Sequence, residues 1–473
     1  MTKNLKQQIL AALPYLLVSV LFISTSGNSF FWDTVQLASK HATFYYTNNF
    51  SELLLPNHLD SGHITTFGMY IALVWKVFGR SLLVSHLAML PFVIGIVFQL
   101  RVLCKRFIDP NYLTFGLFLV LLDPTLLSQM TLVSPDVVLV FFFLLCVNAI
   151  FVNNRWLICL SVCFLFLTSM RGMMVSSCLL LLDLSQNTSL TKNIRSTSSQ
   201  LLKRSILYVP ALLIFIVFST AHYLEKGWIG YHADSPWMNS FEAIDMKGVI
   251  RNFGILGWRL LDFGRIGAWL VGLLLVLMYR KRIFQNKSTR VLFYFFLVLL
   301  ILLPLNMLWA NNLVGHRYLL PIYLTFSIFV ASILFSPYVH RRIKNTLGIA
   351  WAVILLTGNL WIYPDTISQG WDSTLAHLPY YDLRQKTIAY LDKNEINTSD
   401  VTSFFPNVAA FDEIDLNGNI QGFKNFDGQS TYAMYSTVFN ISDSEYQTLI
   451  TLYHPIYTAQ ANNIKVILYM KNL

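Results

Sequence analysis

Long apolar runs separated by short polar stretches fill the first three quarters of the chain. They lie near residues 8–25, 82–103, 111–130, 135–152, 156–170, 172–186, 205–222, 260–279, 290–309, 317–335 and 345–363. Each is read as a membrane helix, although some fall short of the about 20 residues that a full crossing needs. Between them stand basic markers: Lys105-Arg106, Arg155, the stretch from Lys192 to Arg204, "RKRIFQNKSTR" at 280–290 and "HRRIK" at 340–344. If all of these face the cytoplasm, as the bias of Lys and Arg toward that side expects, the runs alternate consistently. The N-terminus is then inside and the C-terminal tail outside.

That parity decides the reading of "ITTFGMYIALVWKVFG" (64–79). As a span it would put the strongest basic clusters outside, so it is expected to be a short re-entrant or interfacial helix. Residues 26–81 then form one long outer loop, and residues 223–259 a second. Beyond 363 no run is long enough to span. Alternating stretches such as "NIKVILYM" and "DVTSFF" predict strands, and "YYDLRQKTIAYLDKN" predicts a helix. The expected division is a transmembrane domain over 1–363 and a small α/β extracytoplasmic domain over 364–473, an ordinary domain size.

Composition supports the same class. Hydrophobic residues make up 55% of the 473 and charged residues 12%, against about 25% charged in soluble domains. The net charge of +10 is not a nucleic-acid footprint. Residues 1–363 carry 28 Lys/Arg against 12 Asp/Glu, and residues 364–473 carry 6 against 12, so the excess is a topology signal. The first run follows Lys3 and Lys6 without a small-residue cleavage site and reads as a signal anchor. The five cysteines lie in or beside apolar runs and offer neither a disulfide framework nor a CxxC metal site. No internal repeat and no nucleotide-binding motif stands out.

Ionisable groups at membrane depth are costly and mark function by default. On the expected outer side they are Asp33 in "FFWDTVQLA", Asp60 and His63 in "LDSGHITTFG", Asp136 in "SPDVV" and Arg171 in "TSMRGMM". They continue with Arg259, Asp262 and Arg265 in "WRLLDFGRIGAW", and with His316, Arg317 and Tyr318 in "VGHRYLLP". Each has an ordinary explanation. Asp136 suits a helix N-terminus, Asp262 has Arg259 and Arg265 three residues away, and Arg317 could snorkel at an interface. His41 and His58 read as solvated loop residues, and Asp123 and Asp183 as structural polar contacts. Together, acids and cations on one membrane face suit a held anionic head group beside a carboxylate that takes a proton from a hydroxyl.

The order of these features is similar to the GT-C membrane glycosyltransferases that use polyprenyl-phosphate sugars. The resembling branch holds protein O-mannosyltransferases and the lipid A aminoarabinose transferase, the family 39-like glycosyltransferases. The resemblance covers roughly residues 8–335. Family members carry an early acid in the first outer loop, where this chain has Asp33. A Lys-Pro-Pro-type motif then leads into a hydrophobic helix, where this chain has "GHITTFGMYIALVWKVFGRS" with His63 at the lysine position. Asp136 matches a later acid, and Arg317-Tyr318 an Arg-Tyr pair opening a late span. The chain departs at Ile64-Thr65, which replace the prolines. It departs again at Gly62, where some relatives place a metal-binding glutamate.

The resemblance implies an all-α polytopic fold of about 11 transmembrane helices with a long first outer loop. It implies sugar transfer from a polyprenyl-phosphate donor to a glycan, lipid or protein acceptor at the outer face of a bacterial cytoplasmic membrane. Asp33 would be the general base or an acceptor-orienting carboxylate. Asp136 would orient a substrate. His63, Arg171 and Arg317 would bind the lipid phosphate, with Asp60, Arg259, Arg265, His316 and Tyr318 as further candidate contacts. Trp32, Trp228, Tyr231 and Trp237 could stack on sugar rings. A divalent cation on Asp60 and Asp136 is left open as cofactor. The alternative is a transporter or flippase of a lipid-linked saccharide, which would need polar or broken helices at mid-membrane depth.

Overall fold

The structure, a computed structural model, describes residues 3–188, 194–230, 232–233, 242–311, 315–364 and 367–472. Tyr231 and Trp237 lie outside them. Helices form close to every expected run. They include Lys3–Thr25, Leu82–Phe107, Pro135–Phe151, Arg155–Thr168, Met170–Asn187, Val209–Lys226, Ile266–Gln285, Lys287–Leu302, Leu320–Leu334 and Arg341–Gly358. Among the described residues five helices are long and apolar enough to cross a membrane, or seven if two bent pairs each count as one crossing. The chain is a multi-pass membrane protein built mainly of helices, with a small C-terminal sheet domain.

The run expected as one span at 111–130 is broken. Pro110–Leu121 and Pro124–Met130 meet in a bent pair with an angle of 74°. Asp123 sits at the break, where its carboxylate accepts from the backbone N–H of Thr125 and Leu126 at 3.0 and 3.2 Å. Pro124 at the first helical position has no N–H to lose. A cap of this kind starts a new helix instead of continuing the old one. A second bent pair, Met246–Leu261 and Ile266–Gln285 at 82°, turns at Asp262.

The segment expected to be a short helix is one, Thr66–Phe78. At 1.5 Å per residue its 13 residues reach about 20 Å, short of the about 30 Å hydrocarbon layer. It buries Phe67, Gly68, Ile71, Ala72 and Trp75 on one face and exposes Leu73, Val77 and Phe78 on the other.

The C-terminal sheet has five strands: β1 (Val401–Ser403), β2 (Lys424–Asn425), β3 (Tyr432–Ser436), β4 (Tyr453–Ala461) and β5 (Ile464–Lys471). Their order is β2-β1-β3-β5-β4, parallel on one side of β3 and antiparallel on the other. Helix Pro379–Lys393 lies against β4 and β5 and contributes Tyr380, Leu383 and Leu391 to a core with Val401, Met434 and Leu468. Phe31 and Leu132, from the membrane part, belong to this same core. Phe31 stacks on His377 with ring centres 5.1 Å apart.

The sheet domain is also tied to the first loop by polar contacts. Phe30 N–H donates to Ile414 O at 2.9 Å, Ser29 Oγ to Asp415 at 2.5 Å, and Arg80 to Asp412 at 2.7 Å. Burial raises the Asp412 carboxyl, but the Arg80 hydrogen bond and the Gly418 N–H outweigh it and leave the group below the usual carboxylate range.

Candidate active site

Asp33 is presented by a local turn. Thr34 Oγ1 accepts from Phe31 N–H at 2.9 Å and donates back to Phe31 O at 2.7 Å. Trp32 takes a left-handed φ of 54°, an unusual conformation for a bulky residue. A π-helical turn, Val35–Lys40, follows at once, a form that recurs near functional sites. The Asp33 side chain is thereby left about 20% exposed.

Arg317 stands in the 3-10 turn His316–Leu319 that opens a buried helix. Its guanidinium is the hub of the site. One terminal nitrogen pairs with Asp33 and the other with Asp372. Nε lies 3.3 Å from Asp136. Asp136 sits in the first turn of Pro135–Phe151, as the helix dipole favours. It also pairs with Arg171, whose guanidinium lies 4.1 Å from the centre of the Tyr318 ring. Three carboxylates thus share two guanidinium groups, so the cluster carries a surplus negative charge.

Beside this cluster opens a cavity of about 420 Å³, within the range of small-molecule sites. Asp33, His63, Arg171 and Tyr318 line it, with Phe67 and Trp309 among its apolar walls. His63 Nδ1 lies 2.9 Å from Ser61 O. Burial pushes the His63 ring below its ordinary value, an effect the Arg171 charge reinforces against the Ser61 contact and Asp60. With its pKa below the ordinary value of 6.5, the His63 ring is mostly neutral at neutral pH.

His41 was expected to be a solvated loop residue and is not. It is buried, lines the cavity, and its Nε2 lies 3.0 Å from Leu59 O. Burial holds its pKa down at about 4. The reason is close packing: a Cβ on Gly68 would lie 2.5 Å from His41 Cβ, so only glycine lets the two segments meet. His58 is exposed, as expected.

Four other expected contacts stand away from the cavity walls. Asp60 is buried and accepts from Gly62 N–H at 2.7 Å, with His222 Nε2 at 2.9 Å. It braces the loop that delivers Ser61 and His63. Arg265 pairs with Asp123 through Nε at 2.7 Å and Nη2 at 2.8 Å, donates to Thr125 Oγ1 at 2.6 Å, and lies over the Tyr323 ring. His316 Nε2 lies 2.8 Å from Asp262, which also accepts from Tyr363 and lies 3.7 Å from Arg259. Arg259 donates to Tyr363 Oη at 2.5 Å. Each of these groups has a charged or polar partner, as burial requires, although Arg259 Nε and His316 Nδ1 are buried without a hydrogen-bond partner.

Of the aromatic candidates, Trp32 packs edge-on against Phe405 and Trp228 against His222, and neither lines the cavity. The residue that sequence reasoning missed is Asp372. Its signal was weak: one acid in "GWDST", grouped with a polar tail. Backbone contacts fix it in place. Ser128 Oγ and Gln129 Nε2 donate to Asp372 O at 2.8 and 2.9 Å, and Thr125 Oγ1 to Ser373 O at 2.9 Å.

The donor set does not fit a divalent cation on Asp60 and Asp136. Both carboxylates are engaged as described. A glutamate could not stand at position 62, where φ is +71° and a Cβ would fall 1.4 Å from Gly230 O. Among the described residues no group of three His, Cys, Asp or Glu side chains is arranged to hold a metal ion.

No protein-family model matches the sequence, and no curated protein matches it. Among solved structures, the chain is similar to ArnT from Cupriavidus metallidurans bound to undecaprenyl phosphate. The TM-score is 0.51, the sequence identity 9%, and the match covers 97% of each chain. At that identity the likeness concerns the path of the chain, from the first helix to the C-terminal sheet. The protein therefore has the GT-C-type membrane fold.

Proposed function

We propose that the protein is a membrane glycosyltransferase that moves a sugar from a polyprenyl-phosphate donor to an acceptor hydroxyl. One observation carries this reading. The fold shared with a protein solved with undecaprenyl phosphate sets a carboxylate, a guanidinium and a histidine on the wall of one cavity. Asp33 accepts the proton of the attacking hydroxyl as its oxygen bonds to the anomeric carbon. The bond from that carbon to the phosphate oxygen breaks, and the polyprenyl phosphate leaves with the electron pair. Arg171 faces the leaving phosphate as a charge, while His63, whose one N–H is turned to Ser61 O, lines the same wall. Tyr318 and Trp309 offer ring faces to a sugar.

In this reading Arg317 orients Asp33 and Asp136. The site belongs to the outer face of a bacterial cytoplasmic membrane, with the N-terminus cytoplasmic. Residues 364–473 form the outer domain that covers the site.

The test is transfer of radiolabel from a panel of polyprenyl-phosphate sugars by the purified protein in nanodiscs, wild type beside Asp33→Asn. Label moved or released from one donor by wild type alone supports the reading and names the donor. No turnover with any donor, with movement of the lipid-linked sugar between leaflets, replaces it by a flippase.

A further inference from the structure

We propose that Asp372 is a positioning residue that withholds Arg317 from the phosphate, reserving that guanidinium for Asp33; this rests on the reading of the cavity as a polyprenyl-phosphate site. Arg317 is the group best suited to grip a phosphate, since its planar fork matches phosphate oxygens two at a time. Yet its edges are all taken: Asp33 on one terminal nitrogen, Asp372 on the other, Asp136 near Nε at 3.3 Å, with Tyr318 Oη 3.1 Å from the Asp33-bound nitrogen. Of the two cations only Arg171 lines the cavity.

Asp33 and Asp136 come from the membrane part. Asp372 arrives on the segment that leads into the sheet domain, and it is the third acid on a guanidinium that one would neutralise. Its carboxylate is about 6% exposed. Gln129 Nε2 and Ser373 Oγ lie 3.5 and 3.3 Å from it, long contacts beside the ion pair. The chemical consequence concerns release. A polyprenyl phosphate held by both guanidinium groups would be a tightly bound product, and leaving would limit turnover. Asp372 supplies the competing carboxylate.

The Asn variant keeps the fold, because the segment is docked through the backbone carbonyls of residues 372 and 373. The experiment measures binding of undecaprenyl phosphate, and separately of inorganic phosphate, to the full chain in nanodiscs. Wild type is compared with Asp372→Asn, Asp372→Glu, Arg317→Ala and the Asp372→Asn/Arg317→Ala pair. The expected result is binding about tenfold tighter in Asp372→Asn for at least one probe, from removing one nearby like charge and freeing one fork edge. The gain vanishes in the double variant, and Asp372→Glu returns to the wild-type value. A merely structural role would weaken binding and lower the melting temperature instead.

Unchanged or weaker binding of both probes in a normally folded Asp372→Asn overturns the proposal. Should that variant fold poorly, the Glu variant decides: binding tighter than wild type, where a carboxylate is retained, overturns it. Failure of wild type to bind undecaprenyl phosphate overturns the functional reading instead, and the inorganic-phosphate comparison still decides the role of Asp372.

Discussion

Two charged centres lie near the same ends of the helices, and they are built on different accounting. At Arg265 one guanidinium meets one carboxylate, Asp123, with Thr125 and the Tyr323 ring completing the shell. Beside it Asp262 is matched by His316, Tyr363 and Arg259. At Arg317 three carboxylates converge on one guanidinium, with Arg171 as second cation, and the cluster borders a cavity. The first centre balances two carboxylates with two guanidinium groups, which is what a buried joint between helix ends requires. The second keeps surplus charge next to open space. Burial penalises that surplus, and the proposed proton transfer would draw on it. Partner count and access to a cavity separate the two, where sequence position could not.

Replacement at the open centre should hit turnover hardest and stability least. Asp33→Asn is expected to lower sugar transfer by about 10²–10⁴-fold, the range for a general base, with an unchanged melting temperature. Full activity in that variant would remove Asp33 from the chemistry. The closed centre should behave in the opposite way. Arg265→Met leaves Asp123 buried without its cation and should cost about 3–5 kcal/mol in unfolding, while Asp123→Asn with Arg265→Met recovers much of the loss. If Arg265→Met instead abolished transfer at native stability, the assignment of the two centres would be reversed.

Smaller effects sharpen the contrast. Arg171→Gln removes the cation that faces the cavity, and undecaprenyl phosphate binding measured in nanodiscs should weaken about tenfold, the worth of one charge-assisted bond. Smallest is the partly exposed Arg80–Asp412 pair between the first loop and the sheet domain. Arg80→Ala should cost under about 1 kcal/mol. The folded Asp412 carboxyl lies below the unfolded range, so its contribution is present above that range and fades as pH falls through the folded value. The melting-temperature difference between wild type and Arg80→Ala should therefore be present at pH 7 and shrink on acidification. A difference that grew toward low pH would contradict the pairing.

Much of the fold is legible along the chain because hydrocarbon imposes a length and a composition on every crossing. The strand expected in "NIKVILYM" and the helix expected in "YYDLRQKTIAYLDKN" also form, as β5 and Pro379–Lys393. The break at Asp123 was hidden inside an apolar run, although Asp-Pro is a recognisable helix start. Asp33, Asp136, His63, Arg171, Arg317 and Tyr318 stand around one cavity or its bordering cluster. Arg259, Arg265 and His316 looked equally exposed in the sequence. Only packing shows that each has already been given its partner.

The sequence by itself determined that this is a multi-pass helical membrane protein with a small mixed domain after it, and which ionisable residues flank its apolar runs. Hydrophobic length and charge are local properties, and a local pattern suffices to state them. Tertiary structure decided which of those charges pair off, that His41 is a cavity wall, and that Asp372 reaches Arg317 from 55 residues away. Those outcomes depend on distances between segments remote in sequence. Burial then decides the rest, because a charge withdrawn from water takes whichever partner the fold brings within reach.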